Sequence, residues 1–426
     1  MRSGGKAIVD SLLANGVDTV FCVPGESYIA VLDALYDAPG LRVISCRHEA
    51  AAANMAEAYG KLTGRPGICL VTRGPGATHA SIGVHTAKQD STPMILLVGQ
   101  VERAMLGREA FQELDYARVF GGLAKWASQI DDEHRIPELM TRAFHLAVSG
   151  RPGPVVLALP EDVLTAELDE GGDPGPATRV VPRPSAADLA QLRTLLAAAE
   201  RPLMILGGSG WDLDAVRAIR RFAERNDLPV ACTFRRQHLF DNRDPHYAGD
   251  LGIGPNPALA ERVRSADLIV AVAARLSEVP TSGYTLLDVP RPRQRFVHVY
   301  ADPDELGRVY QADLPIAAGP APFAHAAAAL EPVDASRWAE WAAAARRDYD
   351  AWRIPTQSGA QLDLAAVVRW LDERLPDDAI LCNGAGNYNT WLHRFFRYKA
   401  FGTQLGPTSG AMGYGFPASI AAKLRH

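Results

Sequence analysis

Residues 41–67 read LRVISCRHEAAAANMAEAYGKLTGRPG, and this stretch decides the fold. A short apolar run (Leu41, Val43, Ile44) enters Arg47-His48-Glu49 and passes into an alanine-rich segment that closes at Gly64. The pattern reads as strand, tight junction and helix. Glu49 stands at the junction, followed by Ala50, Ala51, Ala52 and Ala53. These neighbours offer its carboxylate no hydrogen bonds, which leaves the free amides of the helix's first turn or a ligand. A glutamate so placed either stabilises the helix N-terminus through the dipole or exchanges a proton with a bound heterocycle. The residues of this stretch alone do not decide between the two.

Working outward, the same alternation recurs along the chain and predicts an α/β fold of doubly wound parallel sheets. A helix at 5–15 leads to a strand at 19–23, and Pro24-Gly25-Glu26 opens a second helix. After the Glu49 unit come a strand at 68–72, the turn Arg73-Gly74-Pro75-Gly76-Ala77-Thr78 and a further helix to about 89. An apolar strand at 94–99, a strand near Trp126, a helix at 133–148 and a strand at 155–159 complete the first domain, 1–168. A linker rich in Gly, Pro and charge spans 169–185. The middle domain, 186–332, carries strands at 204–206, 229–232, 268–272 and 296–299. A polar stretch at 354–360 precedes a third domain, 355–426, with a helix at 362–375, a strand at 379–382 and the loop Asn383 to Tyr388.

Composition excludes several classes. With 47% hydrophobic residues, 22% charged residues and a net charge of −5, the chain has no basic stripe for nucleic acid. No apolar run approaches membrane-spanning length. The five cysteines are odd in number and far apart, mostly in apolar runs. They read as reduced thiols of a cytoplasmic protein rather than a disulfide framework or a zinc site.

Two glycine-rich turns, Gly74-Pro75-Gly76 and Gly384-Ala385-Gly386, each lie between an apolar strand and a helix, where backbone amides can hold phosphate or a polar ring, or where glycine serves a tight turn alone. Neither is followed by Gly-Lys-Ser or Gly-Lys-Thr, so neither is a nucleoside triphosphate loop. The turn Gly207-Gly208-Ser209-Gly210 resembles the start of a dinucleotide fold, or serves the turn alone. In Ser409-Gly410-Ala411-Met412-Gly413-Tyr414-Gly415, small residues around one Met let a backbone approach a flat ligand, or let helices pack. His48, His79 and His85 lack metal-ligand spacing and read as solvated or structural.

The motifs Val23-Pro24-Gly25-Glu26, Arg47-His48-Glu49, Thr72 to Thr78, Phe111-Gln112-Glu113, Gly150 to Pro154 and Gly410 to Gly415 occur in one order along the chain. Together they resemble thiamine diphosphate-dependent enzymes of the acetolactate synthase type. The resemblance implies a pyrimidine-binding first domain, a Rossmann-like middle domain and an incomplete diphosphate-binding third domain. It implies that Glu49 hydrogen-bonds the aminopyrimidine and promotes its imino tautomer, that Gln112 and Phe111 line the pocket from a partner subunit, and that Met412 keeps the cofactor bent. Pro24, Gly25, Thr72, Gly74, Gly76, Gly386, Asn387, Tyr388 and Gly410 are the further cofactor-binding residues it implies. A 2-oxo acid substrate and a homodimer or homotetramer follow, with no nucleic-acid or membrane partner.

Two departures qualify the resemblance. The family's Gly-Asp-Gly motif, which supplies Mg²⁺ ligands, does not occur, since Gly249-Asp250 lies in the middle domain and is followed by Leu251. The Mg²⁺ ligands are therefore expected beyond His426, in a longer parent chain. Arg275 stands where flavin-using members have an arginine, but residues 249–254 lack the family's Met-His-Gly pattern, which argues against FAD. The expected activity is decarboxylation and carboligation of 2-oxo acids. The alternative is a catalytically silent truncated homologue that partners a full-length enzyme.

Overall fold

A computed structural model of the chain describes residues 1–169, 175–356 and 361–426. Parts of the two polar connections expected at 169–185 and 354–360 lie outside the described residues. The chain forms two compact units, one of Met1–Val180 with Pro407–His426 and one of Val181–Gly406.

The first unit rests on six parallel strands in the spatial order Arg42–Ser45, Thr19–Cys22, Gly67–Val71, Met94–Gln100, Pro154–Pro160, Trp126–Gln129. Every residue of Gly67–Val71, Met94–Gln100 and Pro154–Pro160 is buried. That is how parallel strands covered by helices on both faces behave. The chain runs outward from Thr19–Cys22 to the edge strand Arg42–Ser45, then returns to Gly67–Val71 on the other side of Thr19–Cys22. This reversal opens a crevice outside the carboxyl ends of the two central strands, the place where open α/β sheets bind ligands.

The helix Glu49–Thr63 forms where the sequence predicts it. His48 caps it by accepting the Ala50 N–H at its Nδ1 (3.1 Å), and Gly64 ends it in the left-handed conformation at φ +67°. Residues 52–60 are all buried, so the helix lies inside the unit rather than on it. Its neighbours come unusually close. A Cβ added to Gly83 would lie 2.5 Å from the Ala53 Cβ, and one added to Gly67 would lie 1.8 Å from the Ala56 carbonyl oxygen.

A buried polar cluster sits on the same helix. Lys61 Nζ lies 2.7 Å from an Asp90 carboxylate oxygen and 3.2 Å from one of Glu57. Glu57 also accepts hydrogen bonds from the Thr92 hydroxyl (2.7 Å) and from the Tyr414 hydroxyl. Asp90 accepts the Thr408 N–H at 2.9 Å, so the segment 407–426 is tied to this unit through both acids. Burial pushes the Glu57 carboxyl up; the Lys61 ammonium opposes the shift and the Asp90 charge adds to it.

In the second unit six parallel strands stand in the order Tyr247–Leu251, Val230–Thr233, Pro202–Leu206, Leu268–Val272, Arg295–Tyr300, Leu314–Ala317. The two outermost were not expected from the sequence. Tyr247–Leu251 contains Gly249 and Asp250, and Leu314–Ala317 contains Pro315, residues that weaken a strand signal but are accepted at sheet edges. The region expected as a third domain contributes the helices Leu364–Arg374 and Asn389–Phe395 and a parallel pair of two-residue strands, Leu381–Cys382 with Gln404–Leu405. All five cysteines are free; Cys22, Cys69 and Cys232 are buried. Burial raises the Cys22 thiol to about 11. Among the described residues no helix is long and apolar enough to cross a membrane.

Two outcomes follow from the buried cluster. Lys61→Met leaves two sealed carboxylates without their cation and is expected to cost about 3–5 kcal/mol in urea denaturation. Protonation of Glu57 favours the folded state, because its value there is raised. The stability it contributes is therefore full below its ordinary value near pH 4.5 and is lost as pH rises through the raised one. In Glu57→Gln the urea midpoint is expected to decline less with rising pH than in the parent chain.

Candidate active site

Three segments meet at the carboxyl ends of the central strands of the first unit. The first follows Thr19–Cys22, where Gly25 packs so tightly on Thr72 that an added Cβ would lie 2.6 Å from the Thr72 Cβ. Ser27 and Thr72 share a hydrogen bond between their hydroxyls at 2.8 Å. The second is the turn after Gly67–Val71. There Pro75 follows Gly74 at the start of the helix Gly74–Asp90, and a Cβ on Gly76 would lie 3.1 Å from Thr72 Cγ2 and 3.7 Å from Glu49 Cγ. The third is the start of the helix Glu49–Thr63. Gly76 thus packs beside Glu49, and Gly25 packs on Thr72. Pro24, next to Gly25, is exposed.

The Glu49 side chain is 14% exposed and hydrogen-bonds through Oε2 to His79 Nδ1 at 2.9 Å. The ring centroids of His48 and His79 lie 4.8 Å apart. No motif in the sequence points to this partner. His79 lies on the next helix, and only the sheet order places the two helix starts side by side. His48 caps its own helix, whereas His79 reaches across to the acid at that helix's start.

Gln112 borders the same turn through its backbone, with the Gly74 N–H donating to the Gln112 carbonyl at 2.9 Å. Its φ of +64° is left-handed, a strained geometry for a residue other than glycine. The loop is held from within by Glu113, whose carboxylate accepts the N–H groups of Gly107 (2.6 Å) and Ala110 (2.9 Å). Those amides, Gly107 first, hold the Glu113 carboxyl below its ordinary range. Phe111 is 77% exposed beside it. On the segment 407–426, Gly410 and Met412 are exposed, Met412 by 80%, while Tyr414 anchors the segment to Glu57.

Gly386, Asn387 and Tyr388 belong to the second unit. All three are exposed on the loop before the helix Asn389–Phe395. The loop is held from inside, because the Gly384 carbonyl accepts hydrogen bonds from Arg235, Asn383 and Asn389, and the Gly384 N–H donates to the Tyr388 hydroxyl at 3.0 Å.

Residues 2–119 match the family model described as the thiamine pyrophosphate enzyme N-terminal TPP binding domain, and residues 189–327 match the model of the central domain. The acetolactate synthase large subunit of Corynebacterium glutamicum is 33% identical over 436 residues, covering 99% of this chain and 68% of that protein. The acetolactate synthase isozyme 2 large subunit of Escherichia coli is 32% identical over 428 residues, covering 99% of this chain and 76% of its own length. The chain belongs to the thiamine pyrophosphate enzyme family.

In this thiamine pyrophosphate enzyme family member, the glycines of the middle unit's turn have a packing explanation. A Cβ on Gly208 would lie 2.1 Å from the Ala273 carbonyl oxygen, and one on Gly207 2.5 Å from the Thr233 hydroxyl. Neither position has room for a side chain. At the crevice of the first unit, Gly25→Ala is expected to overpack Thr72 and cost about 1–3 kcal/mol in thermal or urea unfolding. An unchanged midpoint would show that the packing there has room to spare.

Proposed function

We propose that the chain acts in thiamine diphosphate-dependent decarboxylation and carboligation of 2-oxo acids, in the manner of the acetolactate synthases it resembles. The observation that carries the reading is Glu49, a mostly sheltered carboxylate at the reversal point of the parallel sheet, beside the Gly76 turn. A single acid that can reach a ring nitrogen suits proton exchange.

In this proposal Glu49 holds and moves the proton at the pyrimidine nitrogen. Pro24, Gly25, Thr72, Gly74 and Gly76 form the surface on which the ring lies, and Gln112 lines the pocket. Met412 supports the cofactor's bent shape from its apolar side. Gly386, Asn387, Tyr388 and Gly410 serve the diphosphate end. When bound, thiamine diphosphate supplies the electron sink for decarboxylation. Residues 1–168, 186–332 and 355–426 are proposed as the pyrimidine-binding domain, the central domain and part of the diphosphate-binding domain.

Magnesium belongs to the proposal without assigned ligands, because residues 379–426 contain no Asp or Glu to supply hard carboxylate oxygens. FAD is left out of the proposal, because residues 249–254 lack the Met-His-Gly pattern of flavin-using members. A homodimer or homotetramer in the cytoplasm completes it, with Phe111 and Met412 each exposed to a neighbouring subunit.

Calorimetry of the chain with thiamine diphosphate alone is expected to show saturable heat. In the assembly that turns over 2-oxo acid, Glu49→Gln is expected to lower the rate about 10²–10⁴-fold, with an unchanged melting curve. Full turnover in that variant would remove Glu49 from the chemistry.

A further inference from the structure

We propose that His48, Glu49 and His79 form a binding site for one divalent transition-metal cation of the zinc class. Among the described residues they are the one group of three potential ligands drawn together, with one ligand atom from each lying within 4.8 Å of the others. Two imidazoles and a carboxylate are the donors that zinc takes. The ring geometry agrees: two imidazoles bound to one zinc at about 2.0–2.1 Å have centroids about 4.5–5.2 Å apart. His48 and His79 have theirs at 4.8 Å.

The third donor already touches the second. Glu49 Oε2 is 2.9 Å from His79 Nδ1, close to the separation of about 3.3 Å between two ligands of a tetrahedral zinc. Both histidines are exposed, which leaves a path for the cation and freedom for the rings to turn. Loading has one local consequence. His48 Nδ1 holds the Ala50 N–H as a helix cap, and ligation through either ring nitrogen ends that bond. The site shares Glu49 with the function proposed above, but its test uses no thiamine diphosphate, so the two readings fail separately.

The purified full chain is titrated with Zn²⁺ by calorimetry and with Co²⁺ by visible absorption. The expected result is one saturable cation per chain, weakened at least tenfold by His79→Asn and by His48→Ser. Serine restores a capping oxygen, so His48→Ser removes the ligand without uncapping the helix. Thermal melts check that both variants are folded. Uptake that does not saturate at one equivalent, or that persists undiminished in both folded variants, overturns the proposal.

Discussion

The close packing of the alanine helix Glu49–Thr63 is the constraint on which the crevice depends. Its residues 52–60 are buried, and Gly83 and Gly67 leave no room for a side chain against Ala53 and Ala56. Interiors packed this tightly do not deform continuously. The helix axis is therefore fixed against the sheet, and with it the position of its first residue. Glu49 meets the Gly76 turn because two rows of small residues interlock a turn or more away. A methyl group added at Gly83 would act on the site through that helix.

One helix also presents two carboxylates to opposite environments. Glu57 is sealed, pushed up by burial, and shared among Lys61, Thr92 and Tyr414. Glu49 lies at the helix start, with a histidine and solvent as company. The same residue type is structural in one place and available for chemistry in the other, and surroundings alone make the difference. The sealed cluster has a second effect. Through Tyr414 and Thr408 it carries residues 407–426 on the unit that holds Glu49.

The parallel sheets were legible because buried parallel strands announce themselves as unbroken apolar runs, as in Met94–Gln100. The edge strands of the second sheet were not, because Tyr247–Leu251 and Leu314–Ala317 keep Gly249 and Pro315. The position of Glu49 could be read from its junction, and the turn at Gly74–Gly76 from its glycines. The His79 partner could not be read, because it comes from thirty residues away and depends on strand order. Nor could the strained Gln112 backbone, which is imposed by the loop that Glu113 ties together. Apolar patterning reports local periodicity, whereas these contacts are products of topology.

The central claim is that the Glu49 carboxylate meets the pyrimidine ring of thiamine diphosphate. A crystal structure of the assembled protein with the cofactor bound measures that contact directly. The account predicts a Glu49 oxygen at about 2.6–2.9 Å from a ring nitrogen, with the ring lying over Gly25 and Gly76. A cofactor seated in another cleft, with Glu49 still bonded only to His79, would contradict it.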